Sequence, residues 1–113
     1  MTSEAREPAP ARPELTVARR VVAEMIALAA LEVPGISRVA RGGPRVVAWL
    51  AGPPVRVRIR DGQVEARIHL IARPGQALPD VTREVRSAAG GAIVRLLGLG
   101  VGRVTVVVDG VGA

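Results

Sequence analysis

Few residues of this chain could perform acid–base or metal chemistry. The sequence contains one histidine, His69, and no cysteine. Its aspartates, Asp61, Asp80 and Asp109, each fall at a predicted turn or at the end of a predicted element. A metal site needs several ligands, and His69 has no second His or Cys with which to form one. We therefore predict no catalytic residue, no metal and no cofactor, and we expect His69 to be a solvated residue on the face of a sheet.

Glycine-rich stretches are a second pattern that could have a chemical function, because glycine loops can bind phosphates. Gly98, Gly100 and Gly102 alternate with aliphatic residues near the end of the chain. This stretch follows a predicted helix and precedes a predicted strand. A phosphate loop instead follows a strand, so that the next helix points its N-terminus at the anion. The stretch is therefore predicted to end a helix and form a turn, not to bind a nucleotide.

A β-hairpin is the clearest local pattern. Two alternating runs, Val55–Arg60 and Gln63–Leu70, are joined by Asp61-Gly62, which is typical of a two-residue turn. The turn fixes the register of the two strands and places Arg56 opposite Arg67. One face of the hairpin is aliphatic and must be covered by the helices. The other face carries Arg56, Arg58, Arg60, Gln63, Glu65, Arg67 and His69.

This polar face of the hairpin has two interpretations. Like charges oppose each other at Arg56 and Arg67, and Glu65 alone offers cross-strand compensation. The face is either a solvated surface or a surface that meets carboxylates or phosphates, whose oxygens suit guanidinium groups. The formal net charge of +6 favours anionic partners. The candidate site consists of Arg56, Arg58, Arg60, Arg67 and His69.

Helical spacing of aliphatic residues predicts two helices. The first covers Val17–Glu32 after Thr16, a predicted N-cap. The second runs from about Val81 to Leu97, where Asp80 caps or charge-stabilises the start and Gly98 ends the helix. Its buried face is predicted to contain Val81, Val85, Ala88, Ala89, Ala92, Ile93, Leu96 and Leu97.

Two glycines interrupt the second helix. Gly90 and Gly91 lie in its middle, where each costs roughly 1 kcal/mol relative to alanine. We therefore predict that something packs closely there, either the sheet or another chain.

Strands complete the predicted domain. Ile36–Ala40 is predicted as a short strand and Arg103–Asp109 as the last strand, whereas Val46–Leu50 fits a strand or a helix equally well. The fold class is α+β, with a three- or four-stranded sheet, two helices packed on one face, and the order α-β-β-β-α-β. Val107, on the outward side of the last strand, and the wide apolar end of the first helix suggest a self-association surface.

The two ends of the chain differ in composition. Residues 1–14 are polar and rich in proline, so we expect a disordered tail followed by one domain over residues 15–111. No run is long and apolar enough for a transmembrane segment, and the N-terminus lacks the apolar core of a signal peptide. We expect an intracellular protein that reaches a membrane only peripherally or through a partner.

Residues at the joints of these elements carry a family resemblance. The first helix runs into Glu32-Val33-Pro34-Gly35-Ile36, and Pro74-Gly75 leads into the second helix. The hairpin alternates valine with charged residues, and residues 104–111 read Val-Thr-Val-Val-Val-Asp-Gly-Val. Over roughly residues 15–111 the chain resembles the alkaline shock protein family of bacterial envelope stress response proteins.

The resemblance implies a cytoplasmic protein of cell envelope homeostasis. Such a protein would be a scaffold that binds protein partners near the membrane and self-associates, with no catalytic residue and no cofactor. A small basic RNA-binding module is the alternative, because a helix-strand-strand-helix-strand order with a basic face has relatives among RNA-binding folds. The basic face has no aromatic residue on which a base could stack, which favours the first interpretation.

Overall fold

Two helices lie on one face of a four-stranded sheet in this protein, for which a computed structural model describes residues 13–44, 50 and 52–112. The order α-β-β-β-α-β and the α+β class confirm the prediction. The helices are α1, Pro13–Leu31, and α2, Leu78–Leu97. The strands are β1, Ile36–Arg38, β2, Val55–Arg60, β3, Gln63–Ala72, and β4, Gly100–Val111.

The central strand of the sheet is β3. Along one side it pairs antiparallel with β2 and, further on, with β1; along the other side it pairs parallel with β4. The predicted hairpin register is confirmed, because Arg56 pairs with Arg67 and Arg58 with Glu65. Both turn residues are left-handed, Asp61 at φ 53° and Gly62 at φ 74°, as a tight two-residue hairpin turn requires. A parallel partner needs a crossover connection, and α2 supplies it.

The core lies between the helices and the inner face of the sheet. Alternate residues of β3 point inward, and α1 packs over β2 while α2 packs over β4. The side chains of this core are all aliphatic, so it is built from many small dispersion contacts rather than from a few aromatic ones. The largest fully buried side chains are Ile26, Ile68, Leu70, Ile93, Val64 and Val85.

The ends of α2 show how local sequence sets its limits. Ala77 is the N-cap and makes no side-chain cap hydrogen bond, so of the two roles predicted for Asp80, capping and charge stabilisation, only the second agrees with the structure. Asp80 lies in the first turn, where the helix dipole favours a carboxylate, and it pairs with Arg83. The predicted end at Gly98 is confirmed: its φ is 67°, and its N–H donates to the Val94 carbonyl at 3.1 Å.

Other element ends differ from the prediction. Helix α1 begins at Pro13, ahead of Thr16, because proline is favoured in the first turn of a helix. Strand β4 begins at Gly100, so residues 100–102 belong to the strand and not to a loop. Strand β1 ends at Arg38. The tail up to residue 12, and residues 46–49 of the segment that fits a strand or a helix, lie outside the described residues.

The predicted buried face of α2 is correct except at its end. Leu96 is 64% exposed, whereas Val81, Val85, Ala89, Ala92 and Ile93 are buried. The predicted close packing is also absent from the described structure at Gly90, where an added Cβ would lie 3.9 Å from its nearest neighbour, a methyl group of Val101. That distance is ordinary van der Waals contact, so this chain leaves room for alanine.

Replacing Gly90 with alanine should therefore raise the free energy of unfolding by about 0.5–1 kcal/mol, because alanine restricts the unfolded chain and suits a helix better. Urea denaturation measures the change. Gly98→Ala is the matched control: its left-handed backbone should make the same substitution destabilising by about 1 kcal/mol. A loss of stability in Gly90→Ala would mean that another chain approaches the helix at this point.

Candidate anionic-partner surface

Basic side chains from three strands meet on the outer face of the sheet, the side that the helices leave uncovered. Arg56 of β2 pairs with Arg67 of β3, which in turn pairs with Thr105 of β4. A shallow depression of about 480 Å³ opens over this row. Its polar lining consists of Arg56, Arg58, Glu65, Arg67, Arg103 and Thr105, which we call the arginine surface.

Glu65 is the one acidic residue of the arginine surface. Glu65 lies on β3, where Val64 pairs with Val101 of β4 and Ala66 pairs with Val104. Two residues of β4 therefore lie opposite Glu65, one more than regular pairing would place there. This β-bulge brings Gly102 so close that a Cβ added there would lie 3.0 Å from Cγ of Glu65. Among the described residues Glu65 forms no ion pair, so Arg58, Arg67 and Arg103 hold no bound carboxylate.

Three of the four arginines of this surface are not neutralised by carboxylates of the described residues. Within residues 13–44 and 52–112, no ion pair involves Arg58, Arg67 or Arg103; the ion pairs of this part of the chain are His69 with Asp109 and Arg83 with Asp80. Arg56 is held differently, since its guanidinium lies beside Gly52. Unpaired guanidinium groups that converge on one depression are suited to a ligand that supplies several oxygen atoms.

Arg60 and His69 do not join this arrangement. Arg60 is exposed beside the hairpin turn and lies outside the lining of the depression. His69 is only 6% exposed, so the prediction that it is solvated is wrong. The chain after β1 crosses this end of the outer face, since the Ala40 N–H donates to the His69 carbonyl on β3 and the Gly42 N–H donates to Oδ2 of Asp109 on β4, each at 3.1 Å. His69 is therefore not available to a partner on the arginine surface.

Asp109 of β4 binds His69 from the neighbouring strand. Its Oδ2 lies 3.1 Å from Nδ1 of His69 and also accepts the Gly42 N–H at 3.1 Å. A carboxylate only accepts hydrogen bonds, so Nδ1 must carry the proton. Nε2 of the same ring is buried and has no hydrogen-bond partner within the described residues. The cluster fixes the covering segment to the sheet rather than forming an open site.

The electrostatics of Asp109 agree with this geometry. Burial by itself would raise the pKa of its carboxyl group. The hydrogen bonds from Gly42 and His69, and the positive charges of His69 and Arg41, outweigh that effect and hold the pKa below its ordinary value of 3.8. Asp109 is therefore a carboxylate at neutral pH.

Two residues of the arginine surface were not among the candidate site residues predicted from the sequence. Alternation places Arg103 and Thr105 on the same outward side of the predicted last strand as Val107, but the sequence did not reveal which strand lies beside it. Parallel pairing of β3 with β4 brings them next to Glu65 and Arg67. The alternation of residues within β4 indicated which side chains face outward. The order of the strands, which places β4 beside β3, could not be read from it.

The described residues contain no group of three or more His, Cys, Asp or Glu side chains that could hold a metal ion. In the same part of the chain, no helix has the length and apolar character needed to cross a membrane. What the described residues present is a small two-layer α+β domain with a basic surface on its open sheet face.

Comparison with known proteins places the chain in a family. The family model of the alkaline shock proteins, described as having a cell envelope-related function, matches residues 8–113. The chain therefore belongs to the alkaline shock protein family, and the resemblance seen in its sequence is confirmed. No curated protein sequence matches the chain.

Solved structures share the fold. The copper form of MamM CTD superposes with a TM-score of 0.59 at 19% sequence identity, covering 80% of this chain and 84% of that chain. The nickel form of a MamM CTD variant gives a TM-score of 0.58 at 19% identity, covering 80% of this chain and 96% of that chain. At this level of identity the similarity concerns the fold alone.

Proposed function

We propose that this protein is a non-enzymatic interaction module of the cell envelope, which acts in the cytoplasm beside the membrane and binds an acidic protein partner through the arginine surface. The family supplies the cell envelope context. The observation that supports the binding surface is the convergence of Arg58, Arg67 and Arg103 around a single carboxylate, without ion pairs to other described residues. We further propose that the protein self-associates.

An acidic protein segment fits this surface better than a nucleic acid does. Carboxylates and phosphates both suit guanidinium groups, but binding to single-stranded RNA also relies on aromatic side chains that stack on bases. The chain has one tryptophan, no phenylalanine and no tyrosine, and no aromatic residue lines the depression within the described part of the chain. A partner bound through several carboxylates would supply acceptors to Arg58, Arg67 and Arg103 together.

Charge reversal on the arginine surface should abolish partner capture. Arg58→Glu with Arg67→Glu replaces two attractions by two repulsions, and we expect at least a tenfold weaker interaction, equivalent to about 1.4 kcal/mol or more. The tagged protein is used to capture partners from membrane and cytosolic fractions, with and without nuclease, and the affinity for the captured protein is then measured with purified components.

The matched control is Arg73→Glu with Arg83→Glu, which makes the same change in net charge at exposed positions outside the depression. The control should bind as the unmodified protein does. Equal binding by the arginine-surface variant would refute the proposed surface. Release of the captured material by nuclease would instead support the RNA-binding alternative.

A further inference from the structure

The sequence of β4 and the residue after it is nearly symmetric about Val106. Residues 100–112 read Gly-Val-Gly-Arg-Val-Thr-Val-Val-Val-Asp-Gly-Val-Gly. Glycines and valines therefore recur at equal distances on either side of Val106. Two of the symmetry-related pairs hold different residues. Arg103 corresponds to Asp109, which has the opposite charge, and Thr105 corresponds to Val107, which is also β-branched. A strand with this symmetry can pair antiparallel with its own copy so that identical residues face each other at every position except these two.

Among the described residues, β4 pairs with a single strand. It is an edge of the sheet formed by the described residues, pairing with β3 alone over a length of 12 residues. An exposed edge of this length offers unpaired backbone groups to another strand. Two of its valines are also exposed, Val101 at 36% and Val111 at 56%, and they lie at equal distances from Val106.

We propose that β4 pairs antiparallel with β4 of a second copy of this chain, with Val106 on the two-fold axis. This inference rests on the self-association included in the proposed function and names its surface. Residues that face each other are then Val104 and Val108, Val101 and Val111, and Arg103 and Asp109 of the two copies. The β-bulges also match, because one lies between Val101 and Val104 and the other between Val108 and Gly110.

Charge complementarity fixes the register of this pairing. Arg103 of each copy faces Asp109 of the other, and opposite charges across a strand pair are stabilising. Asp109 uses Oδ2 for His69 and Gly42, so its Oδ1 is the atom that would accept from the guanidinium. A slip by one residue would set inner side chains of one copy opposite outer side chains of the other, which a continuous sheet does not allow. A slip by two would remove Arg103 from its carboxylate.

One contact at the edge would be exchanged on pairing. Nε of Arg86, on α2, donates to the Val104 carbonyl at 3.3 Å. It is the one side-chain hydrogen bond to the β4 backbone within the described part of the chain, and hydrogen bonds between strands would replace it. Pairing would also join the outer faces of the two copies into one sheet, which would present Arg58 and Arg67 of both copies to an acidic partner while Arg103 pairs with Asp109.

Cysteine crosslinking in the full chain tests the pairing, because the natural sequence has no cysteine. Val106→Cys places two thiols beside each other at the two-fold axis, and mild oxidation should give a covalent dimer. Val111→Cys alone should not crosslink, since two copies of residue 111 would lie roughly 30 Å apart. A mixture of Val101→Cys and Val111→Cys should crosslink as the heterodimer. Sedimentation velocity of the unmodified protein measures the underlying association.

The outcomes separate this inference from the proposed function. Crosslinking at Val106 and in the mixture, but not by Val111→Cys alone, would support the pairing. A dimer that forms without these crosslinks, and that Leu28→Glu on the exposed side of α1 abolishes, would place self-association on that helix and overturn the pairing. A strictly monomeric protein at high concentration would overturn both self-association and the pairing. Capture of an acidic partner would still test the arginine surface, because that experiment does not depend on the oligomeric state.

Discussion

Replacing Ile93 with alanine should lower the free energy of unfolding by about 2–5 kcal/mol. Ile93 is fully buried on the face of α2 that packs against the sheet, and the core formed by the described residues has no aromatic side chain that could move into the cavity. A domain of this size has a total stability of about 5–15 kcal/mol, so the loss is a large share of it. Urea denaturation followed by circular dichroism gives the difference between the two proteins.

Leu96→Ala is the matched control on the same helix. Leu96 is 64% exposed, so its truncation should change the free energy of unfolding by no more than about 0.5 kcal/mol. Measurement at a protein concentration where the chain is monomeric keeps self-association from contributing. If Leu96→Ala cost as much as Ile93→Ala under those conditions, the assignment of the inner and outer faces of α2 would be wrong.

The hairpin could be predicted in full because its determinants are local. Strict alternation from Val55 to Arg60, followed by Asp61-Gly62, defines the strand, the turn and the register, and the structure agrees at every pair. The end of α2 at Gly98 was predictable for the same reason, since a left-handed glycine there satisfies the last carbonyl groups. Local patterns were thus enough for the order of elements and the fold class.

The arginine surface was predicted only in part because its third strand is distant in sequence. Arg56, Arg58 and Arg67 follow from the hairpin, whereas Arg103 and Thr105 join them through parallel pairing across the length of α2. Periodicity tells which side chains of β4 share a face, but it does not tell which strand lies beside β4. The bulge next to Glu65 is equally invisible to alternation, because it depends on the partner strand.

The burial of His69 could not be predicted for a related reason. Alternation places His69 on the outer face, and an outer face is normally solvated. Here the segment after β1 crosses that face and binds Asp109 through the Gly42 N–H. The distance between these residues along the chain hides the contact from any local pattern. Leu96 is the converse case, since helical spacing continues past the point where the sheet covers α2.

Replacing Asp109 with alanine should lower the free energy of unfolding by about 2–3 kcal/mol at neutral pH. The substitution removes two hydrogen bonds to a charged acceptor, from Gly42 and His69, and leaves the buried His69 ring without a partner. Asp109→Asn is the conservative comparison, because its amide oxygen can still accept the Gly42 N–H. We expect Asp109→Asn to recover part of the loss, and denaturant titration of the three proteins measures it.

The stability gap between the unmodified protein and Asp109→Asn should also depend on pH. The pKa of Asp109 in the folded protein lies below its ordinary value of 3.8, so the folded state binds this proton more weakly than the unfolded state does. The stabilisation is therefore fully present above that ordinary value and is lost as the pH falls through the lower folded-state pKa. Denaturation curves at about pH 6 and about pH 2.5 should show the gap narrowing in acid. A gap that stays constant across this range would show that the carboxylate charge contributes nothing to holding the covering segment on the sheet.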